Sequence, residues 1–208
     1  MGKIFTSIAL LIAMVGSPLA MAQDAVAAVV VADTAEGTLI VEAKPFTSEK
    51  PLPGKVEKQL KSGGLEWGIR DNQLVFTMVN KQFIDFPISH MTRYGQNEQL
   101  KLPAGEYRVT GIGMEMTAGF SVQKILDRGA FVNENVLTFR VEPGQTTTLS
   151  LLPVIKRDGA LVVDFWMPTL MASIASGAST GPDTALNVRG ESSIAWPQYT
   201  GPLKFIAK

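Results

Sequence analysis

Short segments in which apolar and polar residues alternate recur along this chain, and turn signals separate them. In the clearest example, LPAGEYRVTGIGMEM at 102–116, Pro103 and Gly105 form a turn, and Tyr107 and Val109 then share one face of a strand. Alternation with a period of two is typical of β-strands, whose successive side chains point to opposite faces. Roughly ten such segments at short spacing predict an antiparallel sandwich or barrel rather than βαβ units.

The apolar phase of this stretch changes at Gly111. Ile112 and Met114 stand on the face opposite to that of Tyr107 and Val109. A slip of one residue inside a strand predicts a β-bulge, which bends the strand, and glycine is the residue that permits it. The sequence therefore predicts a bent strand that helps a sheet to curl over a core.

Two further turn phrases follow this strand. The segment VEPGQTTTL at 141–149 has the same order of strand, Pro-Gly turn and strand, and the Asp-Gly pair within 156–159 suits a tight hairpin connection. Glycine tolerates a positive φ in such turns, which we expect at Gly105. The segment 171–183 is dominated by small and polar residues and is predicted to be a long mobile loop.

The first residues predict export. Lys3 is followed by an uncharged, largely apolar run from Ile4 to Val15, and Ala20-Met21-Ala22 is the small-x-small pattern that a signal peptidase cleaves. The run is shorter than the roughly 20 residues that a spanning helix needs. We therefore predict a signal peptide at 1–22, a mature chain that begins at Gln23 and spans no membrane, and a periplasmic or secreted location.

The mature chain divides into three predicted regions. An N-terminal hairpin, formed by 26–32 and 38–42, and a Pro-rich connector occupy 23–64. The core β-sandwich occupies 65–167, and a mobile loop with C-terminal strands occupies 168–208. The segments 55–62 and 117–128 have apolar residues at helical spacing and are candidate short helices, although an extended surface loop fits 55–62 equally well.

Composition excludes several kinds of chemistry. The chain has no cysteine, so thiol catalysis is impossible, and its single histidine, His90, rules out any site built from two or more histidines. We therefore predict no metal and no cofactor. Nineteen basic and nineteen acidic residues balance without a basic stripe, which argues against nucleic acid and anionic membrane surfaces as partners.

Two short motifs have the appearance of catalytic ones. Gly177-Ala178-Ser179-Thr180-Gly181 matches a nucleophile elbow, but Pro182 follows at once and His90 lies upstream of the serine, so we interpret the motif as loop. His90 itself has no local catalytic partners and is predicted to be a surface or half-buried loop residue.

Acidic and aromatic residues leave two alternatives open. Asp158 with Asp164, or Glu134 with Glu142, would serve a carboxylate-dependent hydrolase if either pair faced one cleft. Exposed aromatic rings flanked by polar groups would suit a carbohydrate-binding module. The candidate ligand-binding residues are Trp166, Trp196 and Tyr199.

The phrases at 102–109 and 141–149 resemble the strand openings of small exported β-sandwich modules, the PEGA-like and carboxypeptidase-regulatory-like domains. The resemblance covers about residues 98–167 and lacks the name-giving PEGA tetrad. It implies an attachment or assembly role without catalysis.

Taken together, these features predict an all-β protein, an antiparallel Ig-like or prealbumin-like sandwich with one or two short helices. The favoured function is that of a non-catalytic binding or assembly module of the bacterial cell envelope, not an enzyme, whose partner is a protein or a glycan.

Overall fold

Two β-sheets face each other across one apolar core, which confirms the predicted all-β sandwich with short helices. The computed structural model describes residues 35–78, 84–85, 90–115, 125–160, 163–201 and 206–207, and all of them belong to one compact unit, Thr34–Lys208. In chain order the elements are β1 (Glu36–Ala43), β2 (Thr47–Ser48), α1 (Gly54–Lys61), β3 (Gly64–Arg70), β4 (Gln73–Thr77), β5 (Ile84–Asp85), β6 (His90–Arg93), β7 (Gln96–Pro103), β8 (Gly105–Met114), a π-helical turn (Ile125–Gly129), β9 (Ala130–Val141), β10 (Thr146–Ala160), β11 (Val163–Ser176), β12 (Ser179–Thr180), β13 (Thr184–Ala185), β14 (Ile194–Ala195), a 3-10 turn (Trp196–Gln198) and β15 (Ile206–Ala207).

The first sheet has the strand order β12-β11-β10-β1-β7, with β2 beside β10 and β13 beside β11. The second sheet has the order β14-β9-β8-β4-β3-β6, and β15 with β5 forms a separate two-stranded ladder. Alternation decides which side chains enter the core: on β1, Leu39 and Val41 are fully buried, whereas Ile40 between them is only partly buried.

Both sheets are mixed, whereas the sequence predicted antiparallel pairing throughout. β1 runs parallel to β10, with Thr38 opposite Thr146, and β4 runs parallel to β8, with Gln73 opposite Arg108. A parallel pair needs a long crossover connection. Local turn signals cannot reveal such a pairing, because its two strands lie far apart in sequence.

The Pro-Gly turns carry the chain from one sheet to the other. β7 of the first sheet ends at Pro103 and β8 of the second sheet begins at Gly105, while β9 and β10 are separated in the same way around Gly144. Gly144 has φ +69°, but Gly105 is absent from the residues with positive φ, so our expectation of a positive φ at Gly105 was wrong. These turns connect layers rather than partners in a ladder.

The predicted irregularity in β8 is present, and its extra residues lie on the neighbouring strand. The register shifts between Val109 and Gly111, where β9 runs from Leu137 to Asn133. Within that interval Asn135 adopts φ +54°, a left-handed conformation that asparagine tolerates better than most residues. The extra residues therefore belong to β9 and lie opposite Thr110, and regular pairing resumes at Gly111 with Asn133.

The first segment of the predicted N-terminal hairpin, 26–32, lies outside the described residues. Its second segment is β1, which pairs with β10 along Thr38–Ala43 and with β7 along Glu36–Ala43. β1 is a central strand of the first sheet, and its Leu39, Val41 and Ala43 belong to the core although they precede residue 65.

β10 and β11 form one long hairpin. We predicted a turn at 156–159, but β10 continues to Ala160, which pairs with Val163. β2 pairs with β10 only as far as Ile155. Among the described residues, Lys156–Ala160 and Val163–Met167 therefore pair only with each other, and we call this two-stranded part the arm.

The predicted mobile loop at 171–183 is mostly strand. β11 continues to Ser176, a turn follows at Gly177 with φ +58°, and β12 returns along β11. Leu170 and Ala172 of β11 are buried in the core, so the boundary predicted at residue 167 was also wrong. Small residues in this stretch fill the interior of a sheet rather than a loop.

The helix predictions were partly correct. α1 covers Gly54–Lys61, as one of the two alternatives predicted, and none of its residues is fully buried. Of the candidate helix at 117–128, residues 117–124 lie outside the described residues, and the described end forms the π-helical turn Ile125–Gly129.

Candidate functional site

The β6–β7 hairpin closes one side of the sandwich. β6 is the edge strand of the second sheet and β7 is the edge strand of the first, so the hairpin spans the gap between the layers. Gly95 forms its turn at φ +84°, and the Gly95 N–H donates to the Ala43 carbonyl at 2.6 Å. Side chains from the two strands meet in this gap.

Four of these side chains form what we call the edge cluster: Trp67, His90, Thr92 and Glu98. His90 Nδ1 lies 2.5 Å from Glu98 Oε1, and the Thr92 hydroxyl donates to Glu98 Oε2 at 3.2 Å. Trp67 Nε1 donates to the same Thr92 oxygen at 3.0 Å. The side chains of His90 and Glu98 are 19% and 34% exposed, so the pair is half-buried.

Ring stacking fixes the imidazole. The His90 ring lies on the Trp67 ring at 4.1 Å between centroids and 17° between planes, and Phe76 stacks near Trp67 at 5.4 Å. Trp67 is fully buried and belongs to the core. The edge cluster therefore joins the core to the polar surface of the closed side, and our prediction of a half-buried His90 is confirmed, although the residue lies on a strand and not in a loop.

The edge cluster contains an acid, an imidazole and a hydroxyl, but not in catalytic order. In a Ser-His-acid triad the hydroxyl donates to the imidazole nitrogen that the acid leaves free. Here Thr92 donates to Glu98 itself and accepts from Trp67, so the hydroxyl is on the wrong side of the acid. The geometry suits a structural latch between two strands.

Tyr94 occupies the turn beside the edge cluster. Burial raises the pKa of Tyr94 to about 12. Its ring makes an edge-to-face contact with Phe46 at 6.3 Å between centroids. The two rings fill the space under the connection between β1 and α1.

An open cleft of about 510 Å³ lies on the other side of Phe46. It combines apolar groups with charged groups of both signs. Its lining consists of Phe46, Ser48, Glu49, Lys50, Pro51, Leu52 and Glu57.

The opposite side of the sandwich is closed by a segment that we call the C-terminal strap, Thr184–Ala195. Its β13 end pairs with β11 of the first sheet, and its β14 end pairs with β9 of the second. The Asn187 side chain accepts from Leu170 N at 2.7 Å and donates to the Pro168 carbonyl at 2.8 Å. The Asn187 amide therefore makes two hydrogen bonds with the backbone edge of β11 of the kind that a neighbouring strand would make.

A second asparagine holds the middle of the strap. Asn133 Nδ2 donates to the Leu186 and Val188 carbonyls at 2.9 and 2.8 Å, and Ser193 Oγ donates to Asn133 Oδ1 at 2.5 Å. Leu186 is fully buried in the core. The sequence gives no local signal for these contacts, because asparagine is also common in turns and the partners of Asn133 lie more than 50 residues away.

Close backbone approach explains two glycines of β8. A Cβ at Gly111 would collide with the Leu186 carbonyl, and a Cβ at Gly113 would collide with the Phe131 ring. Arg189 lies over the same ring at 4.3 Å and bonds Glu115 at 2.8 Å. The strap therefore lies directly on β8.

Two of the three candidate ligand-binding residues are not exposed. Trp196 and Tyr199 are 5% and 1% exposed, and their centroids lie 5.9 Å apart beside the 3-10 turn. Trp166 pairs with Arg157 in the arm, and its side chain lies outside the described residues. Two aromatic residues close together in sequence give the same signal whether their rings contact a ligand or pack against each other in the core.

The segment 177–181 does not form a nucleophile elbow. Ser179 is exposed and belongs to β12, which pairs with β11 through Ser176. A nucleophile elbow needs a helix after the serine, and here the chain continues to β13.

The two carboxylate pairs do not converge. Glu134 lies within β9 and Glu142 follows its last residue, Val141. The two positions are about 20 Å or more apart along the strand direction, whereas glycosidase carboxylates lie roughly 5–9.5 Å apart. Glu142 pairs with Arg140 at 2.9 Å. Asp158 is opposite Phe165 and Asp164 is opposite Gly159, which places the two positions on opposite faces of the arm.

Comparison of the chain with protein-family models, with curated proteins and with solved structures gives no match. In the described part of the chain, no three His, Asp or Glu residues cluster as metal ligands. No described helix has the length and apolar character needed to cross a membrane.

Proposed function

We propose that the chain is an exported, non-catalytic module of the bacterial cell envelope that acts by binding or assembly with a protein partner. The signal-peptide pattern at 1–22 supports export. The resemblance of 98–167 to exported β-sandwich modules supports an attachment role.

The observation that carries the proposal is the use made of the single histidine. His90 is the single histidine and lies beside an acid, Glu98. The Thr92 hydroxyl, which a triad would direct at the imidazole, donates to that acid instead, and Trp67 stacks on the His90 ring. These contacts tie two edge strands together. The groups that would perform acid–base chemistry therefore stabilise the closed side of the sandwich.

A glycan partner loses its support, since Trp196 and Tyr199 are buried. The cleft beside α1 suits a protein ligand, because Phe46 and Leu52 supply apolar contact next to charges of both signs. Segments of partner proteins likewise present apolar side chains next to charged ones.

The proposal is tested in cells with a photoreactive amino acid at Leu52, in the cleft, and at Gln145, an exposed position in the turn before β10. We expect a mature chain beginning at Gln23 in the envelope fraction and a discrete protein cross-link from Leu52 alone. Uncleaved protein in the cytoplasm, or equal cross-linking from both positions, would refute the proposal. So would a hydrolytic activity of the purified protein that His90→Asn abolishes and Ser179→Ala does not.

A further inference from the structure

The outer face of the first sheet carries three rows of side chains that cross β7, β1 and β10. Leu39 and Val41 of β1 point into the core, so Thr38, Ile40 and Glu42 point outward. Strand pairing places each of these three residues in a row, and neighbouring rows lie about 7 Å apart. In order along β1 the rows are Lys101-Thr38-Thr146, Gln99-Ile40-Thr148 and Asn97-Glu42-Ser150.

These rows are accessible to a partner. Gln99 and Lys101 are exposed, and Ile40, Glu42 and Thr148 are partly exposed. The face combines hydroxyl and amide groups with one central isoleucine, and this mixture of polar and apolar groups is typical of interfaces between independently folded proteins. Two sheets also pack readily face to face.

Two opposite charges lie along the surface of this face, one on each side of the Ile40 row. Lys101 Nζ donates to the Thr38 hydroxyl at 2.9 Å, and the Ser150 hydroxyl donates to Glu42 Oε2 at 2.8 Å. Within the described part of the chain, neither charge belongs to an ion pair. A partner surface that presents a negative row and a positive row in the reverse order would pair with both charges.

A second copy of the chain presents that order. Rotation by 180° about an axis along the Ile40 row turns the face over and exchanges the two flanking rows. Lys101 of each copy then lies over Glu42 of the other, and Ile40 lies over Ile40. Rotation about an axis along β1 would instead place Lys101 over Lys101, where like charges repel. The charges therefore select the arrangement in which the two β1 strands are antiparallel.

We propose that two copies of this chain pack face to face through these rows, with β1 of one copy antiparallel to β1 of the other. Such a two-fold interface uses the same surface of both copies, so the contact of Lys101 with Glu42 occurs twice. The dimer goes beyond the proposed envelope function and does not depend on it, because other residues line the cleft around Leu52.

Exchange of the two charges tests the contact. In Lys101→Glu, and likewise in Glu42→Lys, the two copies of a homodimer would present like charges to each other. We expect each variant to self-associate at least about tenfold more weakly than the wild type. The double variant Lys101→Glu, Glu42→Lys restores opposite charges and should recover self-association to within about threefold of the wild type. Sedimentation of the purified proteins at up to about 200 µM measures these differences.

A mixture of the two single variants gives a further readout. Both contacts between Lys101→Glu and Glu42→Lys again join opposite charges, so we expect a heterodimer from two proteins that each self-associate weakly. Native mass spectrometry with tags of different mass separates the three possible dimers. The matched controls, Lys58→Glu on α1 and Glu106→Lys on β8, make the same charge changes at exposed positions outside the rows and should behave as the wild type does. A monomeric wild type, or a mixture without excess heterodimer, would overturn the dimer and leave the proposed envelope function standing.

A cysteine in the central row tests the axis, because the chain contains no cysteine of its own. Gln99 lies in the row along the axis and so faces Gln99 of the second copy. We expect a disulfide-linked dimer to form at least about tenfold faster from Gln99→Cys than from Gln145→Cys, an exposed position in the turn before β10, as the dimer raises the local thiol concentration. Equal rates from two variants with equal melting temperatures would overturn the proposed axis.

Discussion

Substitution of Gly111 by alanine tests how the C-terminal strap is held. The φ of Gly111 lies outside the left-handed region, so the conformation itself suits alanine. Space is the obstacle, because the new Cβ would collide with the Leu186 carbonyl, which belongs to the backbone and moves only with the strap. Overpacking of this kind destabilises by about 1–3 kcal/mol.

Displacement of the strap would also disturb two hydrogen bonds from Asn133, at 2.9 Å to Leu186 O and 2.8 Å to Val188 O. Each contributes about 0.5–1.5 kcal/mol. We therefore expect Gly111→Ala to lower the free energy of unfolding by about 2–6 kcal/mol in all. For a protein of this size that corresponds to a fall in melting temperature of about 4–24 °C.

Gly105→Ala is the matched control on the same strand. The nearest atom to its added Cβ is Asn72 Nδ2 at 3.8 Å, so we expect no loss and up to about 1 kcal/mol of gain from the stiffer unfolded chain. Thermal and urea denaturation measure both variants, and tryptic cleavage after Arg189 reports strap release. Melting temperatures of the two variants within about 2 °C of each other would refute the reasoning.

Three further predictions concern other contacts. His90→Ala should cost about 1–2 kcal/mol and red-shift Trp67 emission, since it uncovers the indole and removes the contact of Glu98 Oε1 with the imidazole; an unchanged spectrum would contradict the stacking. Asn187→Ala should cost about 2–4 kcal/mol by urea denaturation, because a buried strand N–H and a carbonyl lose their partner, and a loss below about 0.5 kcal/mol would count against it. The pKa of Tyr94 is raised from 10.0 to about 12 in the fold, so its contribution to stability should be complete below pH 10 and disappear as the pH rises through 12. Ultraviolet titration of the wild type against Tyr94→Phe measures this, and a midpoint for Tyr94 near 10 would disprove it.

Local chemistry in the sequence was sufficient to identify the strands and several of their irregularities. The alternation after Pro103 predicted β8, and the change of phase at Gly111 predicted its irregular register. Asp71 and Asn72 are of residue types that tolerate a positive φ, and both adopt one, at 51° and 57°. These features depend on neighbours a few residues apart, which sequence displays directly.

Partners at a distance were harder to predict. The Pro-Gly turn at 103–105 has the same local chemistry whether the next strand pairs with the last one or enters the other sheet. The contact of His90 with Glu98 had a usable signal, since Gly95 between them permits a hairpin turn, but we interpreted this polar stretch as a connection. The pairing of Asn187 with β11 left no signal, because an amide that imitates a strand resembles any loop asparagine.

The position of β1 in the middle of the first sheet has a consequence for the order of folding. Its parallel neighbour begins 108 residues later, with Thr38 beside Thr146. Contacts this distant in sequence slow folding, because the chain loses the entropy of closing a long loop before these contacts can stabilise it. In a growing polypeptide of this connectivity the first sheet therefore stays incomplete beside β1 until β10 has emerged.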